Sequence, residues 1–291
     1  MRKLDISFAK FSADCVREFC ERFKILPSLI SSHGHTVFHC PSEGYTFQIG
    51  CGATIAAETG IPTVSDFRQG DVSKGGQGAP LVPAGDLILF NKYFHNLNLG
   101  GFANISTRQG NSRTAFDICP FNIVLNRLAE LSGKPFDDGG KMASGGRIIN
   151  SMLEQLNGLD HYKKNGPKSL GAEWVQEKIT PLLENFLIQH STQDVLRTFV
   201  DHAAIQIGKI LNVNPGDTLI TGGGVWNSYA LECIREKTGS KLIIPDPMLV
   251  NYKEAIIFSL LGYLRIHNRT NVFYQYTGAK KNSITGGIYL S

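Results

Sequence analysis

Gln69-Gly70-Asp71-Val72-Ser73-Lys74-Gly75-Gly76-Gln77-Gly78-Ala79-Pro80-Leu81-Val82-Pro83, with Ser65-Asp66-Phe67-Arg68 just ahead of it, is the stretch on which the fold turns. So much glycine and proline around a few charged groups suits a loop that brings backbone close to a ligand. Two further glycine runs each follow an apolar, strand-like segment: Leu97-Asn98-Leu99-Gly100-Gly101-Phe102-Ala103-Asn104 and Leu219-Ile220-Thr221-Gly222-Gly223-Gly224-Val225-Trp226-Asn227. Glycine also marks ordinary turns and bulges, so one such run by itself says little. Three of them, spaced along one chain, point to a nucleotide site split between lobes. No GxxxxGK[ST] occurs, and no GxGxxG opens a helix, which disfavours the P-loop and dinucleotide folds and calls for another phosphate-binding architecture.

Working outward, the 291 residues are 42% hydrophobic and 19% charged, with no apolar run long enough to cross a bilayer, as in a soluble globular chain of one large or two ordinary domains. The net charge of +4 is small for this length, and Lys163-Lys164 and Lys280-Lys281 are isolated pairs, not a basic stripe, so nucleic acid is not expected as a partner. Six cysteines form no CxxC pair and no apolar signal core opens the chain, which fits a cytoplasmic protein.

Helical periodicity marks Ala13–Lys24, Ile123–Ser132, Ala172–His190, Gln193–Leu211 and Lys253–His267, and Ser28–Phe38 reads as extended. The last helix is apolar on most faces, which predicts burial between other elements, while Lys253, Glu254 and Arg265 argue against membrane insertion. Asn157–Leu170 and Asn268–Asn282 read as linkers, and no repeat or heptad seam is present. Alternating strands and helices through the middle give an α/β layout.

Two groups of side chains could carry chemistry. Asp117 lies in Arg113-Thr114-Ala115-Phe116-Asp117-Ile118-Cys119-Pro120-Phe121-Asn122, where an extended segment delivers a carboxylate to a turn before a helix. It either takes a proton as a general base or caps the following helix through a backbone N–H. In His33-Gly34-His35-Thr36-Val37-Phe38-His39, positions two and four apart would share a strand face, leaving metal binding, contact with substrate by one histidine, or simple packing as readings.

Taken in order, His33-Gly34-His35-Thr36, Gln48-Ile49-Gly50, Asp66-Phe67-Arg68, Gly75-Gly76-Gln77-Gly78-Ala79-Pro80-Leu81, Asn98-Leu99-Gly100-Gly101, Asp117, Pro167-Lys168-Ser169, Gly222-Gly223-Gly224 and Thr277-Gly278-Ala279 closely resemble the anhydro-N-acetylmuramic acid kinases. The matches span nearly the whole chain. That family belongs to the actin-like, hexokinase-like ATPase superfamily, so the resemblance implies a two-lobed actin-like (ribonuclease H-like) fold. Residues 1–95, with 268–291, would form the first lobe and 96–267 the second, with ATP and sugar in the cleft between them. The Gly-Thr-Ser-Leu-Asp-Gly hairpin that opens family members has no match here, so the first lobe is expected to be N-terminally truncated.

The resemblance further implies an ATP-dependent kinase that opens 1,6-anhydro-N-acetylmuramic acid with water and phosphorylates O6, in peptidoglycan recycling. Asp117 would activate the water. Gly100, Gly101 and Asn104 would form the second phosphate hairpin, and Gly222, Gly223, Gly224 and Asn227 would border the adenosine, with Mg2+ bridging the phosphates. His33, Asp66, Arg68, Gln77, Asn122 and Lys168 are the substrate-side residues, and Arg68 either pairs bidentately with the lactyl carboxylate or anchors its own loop. A homodimer that closes its lobes on the sugar is the expected assembly, with no membrane partner. Two departures bear on this picture: Cys119 and Phe121 stand where the family carries glycines, adding bulk that either narrows the approach to substrate or packs the turn differently, and the unmatched hairpin leaves open a catalytically inactive sugar- or nucleotide-binding remnant of the same fold.

Overall fold

A computed structural model describes residues 1–163 and 168–291, so Pro167 of the Pro-Lys-Ser motif lies outside the described residues. Its strands, in chain order, are β1 (Ile30–Ser31), β2 (His35–Cys40), β3 (Tyr45–Ile49), β4 (Thr63–Ser65), β5 (His95–Leu99), β6 (Phe102–Gln109), β7 (Ser112–Pro120), β8 (Thr218–Thr221), β9 (Leu242–Ile243) and β10 (Gly287–Tyr289). Helices alternate with them, and the chain is mixed α/β. Its internal contacts gather into two compact units, Met1–Leu89 with Glu254–Ser291, and Phe90–Lys253.

In the first unit β4 is central, paired parallel to β1 (Ile30 with Thr63) and antiparallel to β10 (Ile288 with Val64). The helix Arg2–Phe23, longer than the periodicity alone indicates, stops where Lys24 turns left-handed at φ 52° and gives its N–H to the carbonyls of Cys20 and Glu21. Buried Asp5 near its start accepts the Gly50 N–H at 2.8 Å and so ties the helix to the end of the β2–β3 hairpin.

The unit boundaries differ from those expected at 95 and 267. The helix Pro247–Ile266 crosses the second boundary, and from Glu254 onward it packs within the first unit: Ile257 lies against Gly85, Phe258 edge-on to Phe67 at 5.6 Å, and Arg265 donates to the Gly286 carbonyl at 2.7 Å. Only one face of it is buried: Ile257, Phe258, Leu261 and Leu264 enter the core while Met248, Tyr252, Ile256, Tyr263 and Ile266 are exposed, so the burial between elements expected from its apolar residues on most faces is not found.

The second unit is built on a five-stranded sheet of order β7-β6-β5-β8-β9, in which β7, β6 and β5 are antiparallel and β5, β8 and β9 parallel. Alternation along the strands divides its faces. Leu97, Leu99, Ala103, Ile105 and Ile220 enter one hydrophobic core with Val195, Leu196, Phe199, Val200, Ala203 and Ile207 of the helix Thr192–Leu211. Those helix positions recur at three- and four-residue steps, which is why this long helix covers the sheet. Ser191 caps it by accepting the Asp194 N–H, while its hydroxyl returns a hydrogen bond to the Asp194 carboxylate at 2.8 Å. The helical run Ala172–Leu187 passes through a π-helical turn at Val175–Ile179 before Pro181, a residue that brings no N–H to the ladder.

Candidate active site

Register places polar side chains in one row across the other face of that sheet. Asp117 on β7 is paired with Asn104 on β6, Asn104 with Asn98 on β5, and Asn98 with Thr221 on β8. Residues directly opposite in a sheet share a face, so the four form a continuous polar line. An extra residue in β7, Ile118, makes the bulge between Ala103 and Asn104 that brings Asp117 into line.

Asp117 does not cap the following helix. That helix, Asn122–Glu130, starts at Phe121 without any side-chain cap. The half-buried carboxylate instead accepts the Leu170 N–H at 2.9 Å, and the Asp117 N–H reaches the Lys168 carbonyl at 2.9 Å. Burial pushes this carboxyl above its usual range, opposed by the Leu170 hydrogen bond. Lys168 belongs to the clamp on β7: its ammonium donates to the His161 carbonyl at 2.9 Å, and the His161 ring contacts the Ile118 carbonyl at 3.2 Å. Cys119 and Phe121 point away from this face into the core, where both are buried, and burial pushes the Cys119 thiol up. Their bulk therefore packs the turn and does not narrow the polar face.

The glycines at the strand ends divide by function. Gly222 needs its glycine for conformation, at φ +90°, and a Cβ there would also meet Asn98 Oδ1 at 2.6 Å. Gly224 is buried, and a Cβ would stand 2.6 Å from the Phe121 ring and 2.7 Å from Leu99 Cβ. Gly101 and Gly223 are exposed, and around a Cβ the nearest atoms are Ile123 Cβ at 4.0 Å and Asn122 Nδ2 at 3.9 Å. At both, the space a Cβ would fill is open to a ligand, although the Gly101 carbonyl accepts the Phe121 and Ile123 N–H groups; Gly100 lies against the Asn98 amide and gives its own N–H to the Phe102 carbonyl at 3.2 Å.

Asn227 is the N-cap of the helix Ser228–Lys237, accepting the Ala230 N–H at 3.0 Å. Beyond it opens a cavity of about 440 Å³, lined among others by Asn122, Phe136, Asp138, Gly223, Trp226 and Asn227. Its size suits a nucleoside-sized ligand, and the half-exposed rings of Phe136 and Trp226 offer flat apolar surface. Asn122 thus sits with the glycine loop assigned to adenosine, its amide held on the Leu99 carbonyl at 3.2 Å. Buried Asp137 shapes the opposite wall by accepting the N–H groups of Met142 and Ala143 at 2.8 and 2.9 Å.

In the first unit lie the residues expected on the substrate side, of which Arg68 and His33 are joined. Arg68 donates from Nε to His33 Nε2 at 2.9 Å and from Nη1 to the Gly78 carbonyl at 2.7 Å. His33 Nε2 is therefore an acceptor and Nδ1 carries the proton, which reaches the Gly34 carbonyl at 3.0 Å. Burial, helped by the Arg68 charge, pushes this imidazole down to about 4, so it is neutral near pH 7. With both ring nitrogens engaged, His33 orients Arg68. Arg68 anchors its loop through Nε and Nη1 and still has Nη2, which makes no hydrogen bond among the described residues. With Nε committed, a carboxylate can be met only end-on, through Nη1 and Nη2. Asp66 is exposed in a left-handed conformation at φ 56°, and Gln77 is exposed at the tip of the glycine loop.

The histidines do not share a face. The bulge between Thr36 and Phe38 puts His35 opposite Ile49 but His39 opposite Thr46, whose hydroxyl lies 3.0 Å from its Nδ1. A one-residue slip exchanges the faces of a strand. Among the described residues no group of three or more His, Cys, Asp or Glu is arranged to hold a metal ion, and no helix is long and apolar enough to cross a membrane.

Sequence reasoning passed over Asn98 and Asp71. Asn98 lies inside the glycine run at the end of β5; its amide lies between Gly100 and Gly222. Asp71, inside the opening stretch, is fully buried beneath the Gly76–Gly78 turn, and nothing in a linear reading distinguishes it from a solvated loop acid.

Glycine turns at the strand ends of one unit, a nucleoside-sized cavity beside them and a carboxylate on the polar face suit a sugar kinase, the class that the family match shows. The family described as anhydro-N-acetylmuramic acid kinase matches residues 1–291, and the chain belongs to that family. It is 33% identical over 310 residues to the anhydro-N-acetylmuramic acid kinase of Sulfurovum sp. (strain NBC37-1), covering 99% of this chain and 82% of that one. The Aliivibrio fischeri (strain ATCC 700601 / ES114) protein of the same name is 36% identical over 280 residues, covering 89% and 74%. Among solved structures, component A of the Acidaminococcus fermentans (R)-2-hydroxyglutaryl-CoA dehydratase is similar at TM-score 0.41 and 12% identity, covering 73% of this chain and 82% of that one.

Proposed function

We propose that this kinase opens 1,6-anhydro-N-acetylmuramic acid with water and transfers the γ-phosphoryl group of ATP to the released O6, giving N-acetylmuramic acid 6-phosphate and ADP in peptidoglycan recycling. The observation that carries the reading is Asp117, a half-buried carboxylate with a raised pKa whose only hydrogen bond from the chain among those described comes from the Leu170 N–H. A carboxylate so placed can take a proton from water. The water oxygen bonds to the anomeric carbon, the C1–O6 bond breaks, and O6 attacks phosphorus as the bond to the β-phosphate oxygen breaks.

The cavity beside Gly223 and Trp226 fits the nucleoside, and the open backbone of Gly101 fits a phosphate oxygen. Bound Mg2+ would supply neutralisation of phosphate charge, and phosphate and water oxygens would form most of its shell. On the sugar side, Arg68 would meet the lactyl carboxylate end-on, with Gln77 and Asp66 beside it. Lys168 would act through the clamp that holds Asp117. We further read the protein as a cytoplasmic homodimer, which light scattering on the purified chain tests directly.

The decisive experiment is ATP-dependent conversion of 1,6-anhydro-N-acetylmuramic acid by this chain beside Asp117→Asn. Formation of the 6-phosphate by the parent alone supports the reading. Equal turnover by the variant removes Asp117 as the base, and a parent that binds the sugar without converting it supports the inactive remnant.

A further inference from the structure

The turn that carries Gln77 is pinned on every side except its one large side chain. The Gln77 N–H donates to the Thr277 carbonyl at 2.7 Å, and the Gly78 N–H to Asp71 Oδ2 at 2.8 Å. The Gly78 carbonyl accepts from Arg68 at 2.7 Å, and the Gly76 N–H reaches the Asp71 carbonyl at 3.0 Å. The Thr277 hydroxyl completes the arrangement by donating to Asp71 Oδ1 at 2.9 Å. Two glycines are fitted to the site: a Cβ on Gly76 would run into the Asp71 carboxylate, and one on Gly78, at φ +65°, would lie 2.9 Å from Val72. Against this, the exposed Gln77 carboxamide makes no hydrogen bond to the described residues.

Burying a carboxylate away from water is costly unless donors surround it, and here the donors come from the loop and from a segment 206 residues away. Such an arrangement does little for a loop whose tip has no task. We propose that Asp71 is a positioning residue for sugar binding: through the Gly78 N–H and the Thr277 hydroxyl it joins the glycine loop to the Thr277–Ala279 segment and fixes the Gln77 amide where the sugar is recognised. The same contacts reach Arg68 through Gly78, so the two polar groups are held as one unit. The inference rests on the substrate-side reading of Gln77 and Arg68 given above.

The test is calorimetric titration of the full chain with 1,6-anhydro-N-acetylmuramic acid, without nucleotide, with thermal melting of every variant. Gln77→Ala is expected to weaken the sugar by about tenfold, the scale of one lost hydrogen bond. Asp71→Ala should weaken it to a similar degree, and the double variant no further than the weaker single, because both remove one interaction. Asp71→Asn, which still accepts from the Gly78 N–H, should recover most of the affinity. Should Asp71→Ala fail to fold, Thr277→Val carries the test, since it deletes the hydroxyl and keeps the carbonyl that holds Gln77; a threefold or larger loss is expected there. Wild-type affinity in folded Asp71→Ala, or in Thr277→Val where the former does not fold, overturns the inference while leaving the substrate-side reading intact. An unchanged Gln77→Ala, or a parent chain that does not bind the sugar, overturns that reading and the inference with it.

Discussion

Single alanines at the glycines of the second unit separate those that shape the chain from those that face the ligand. At Gly224 the added methyl carbon would stand 2.6 Å from the Phe121 ring, 2.7 Å from Leu99 Cβ and 2.9 Å from the Leu99 carbonyl, all buried and none the end of a flexible side chain. Overpacking of that kind costs about 1–3 kcal/mol. A loss of that size lowers Tm by about 2–4 °C per kcal/mol in a chain of this order of length. Gly222→Ala adds a strained φ of +90° to a 2.6 Å contact with Asn98 and should cost at least as much. By contrast, Gly101→Ala and Gly223→Ala place a methyl group in open space at ordinary φ, so stability is expected to hold or to rise by about 0.4–1 kcal/mol through the stiffer unfolded chain. Their cost should fall on the nucleotide, with KM for ATP raised by about tenfold where a Cβ displaces a phosphate or nucleoside atom by its own width. Thermal melting and steady-state kinetics on the four proteins read both quantities. Gly223→Ala with parental KM for ATP, or Gly224→Ala with parental Tm, would refute the assignment.

Further outcomes follow from the same geometry. Asp117→Asn should cut kcat by about 10²–10⁴, as for loss of a general base, and should melt no lower than the parent, because the amide avoids the desolvation that raises this carboxyl. The acid limb of the parent's kcat/KM profile should lie above the ordinary aspartate range, since the base must be ionised to work; a limb at the usual position would contradict the burial argument. Stability should fall on acidification, because burial holds His33 to about 4 and His202 to about 3 while unfolded imidazoles titrate near 6.5. Their contribution is complete above the unfolded value and is lost as pH falls toward the folded values; imidazole NMR signals of His33 and His202 that titrate between pH 6 and 7 would disprove it. Arg68→Lys should raise KM for the sugar by about tenfold, since an ammonium cannot hold His33, Gly78 and a carboxylate together.

Much of this molecule was legible in one dimension. Periodicity marked the helices Thr192–Leu211 and Asn122–Glu130 to within a residue or two, because each buries one stripe and repeats it at helical spacing. The ordered motifs identified the family, and the glycine runs announced loops at strand ends. What the linear order could not carry was anything set by register or by distant partners. The bulge in β2 separates His35 from His39, and the extra residue Ile118 in β7 aligns Asp117 with Asn104; either slip reverses which face a side chain meets. Of the glycines in one run, Gly222 answers to φ, Gly224 to the Phe121 ring and only Gly223 to open space, a division created by neighbours far away in sequence. Asp71 reads as a solvated loop acid until Thr277, 206 residues on, is brought to its carboxylate. Sequence by itself determined the long helices and the family, since those rest on local spacing and side-chain chemistry, while the short helices Asp160–Lys163 and Tyr274–Thr277 fall in segments that read as linkers. Tertiary structure alone decided which polar groups are buried, which are engaged and which are left for a ligand, because burial and hydrogen-bond partners arise only when separated segments pack together.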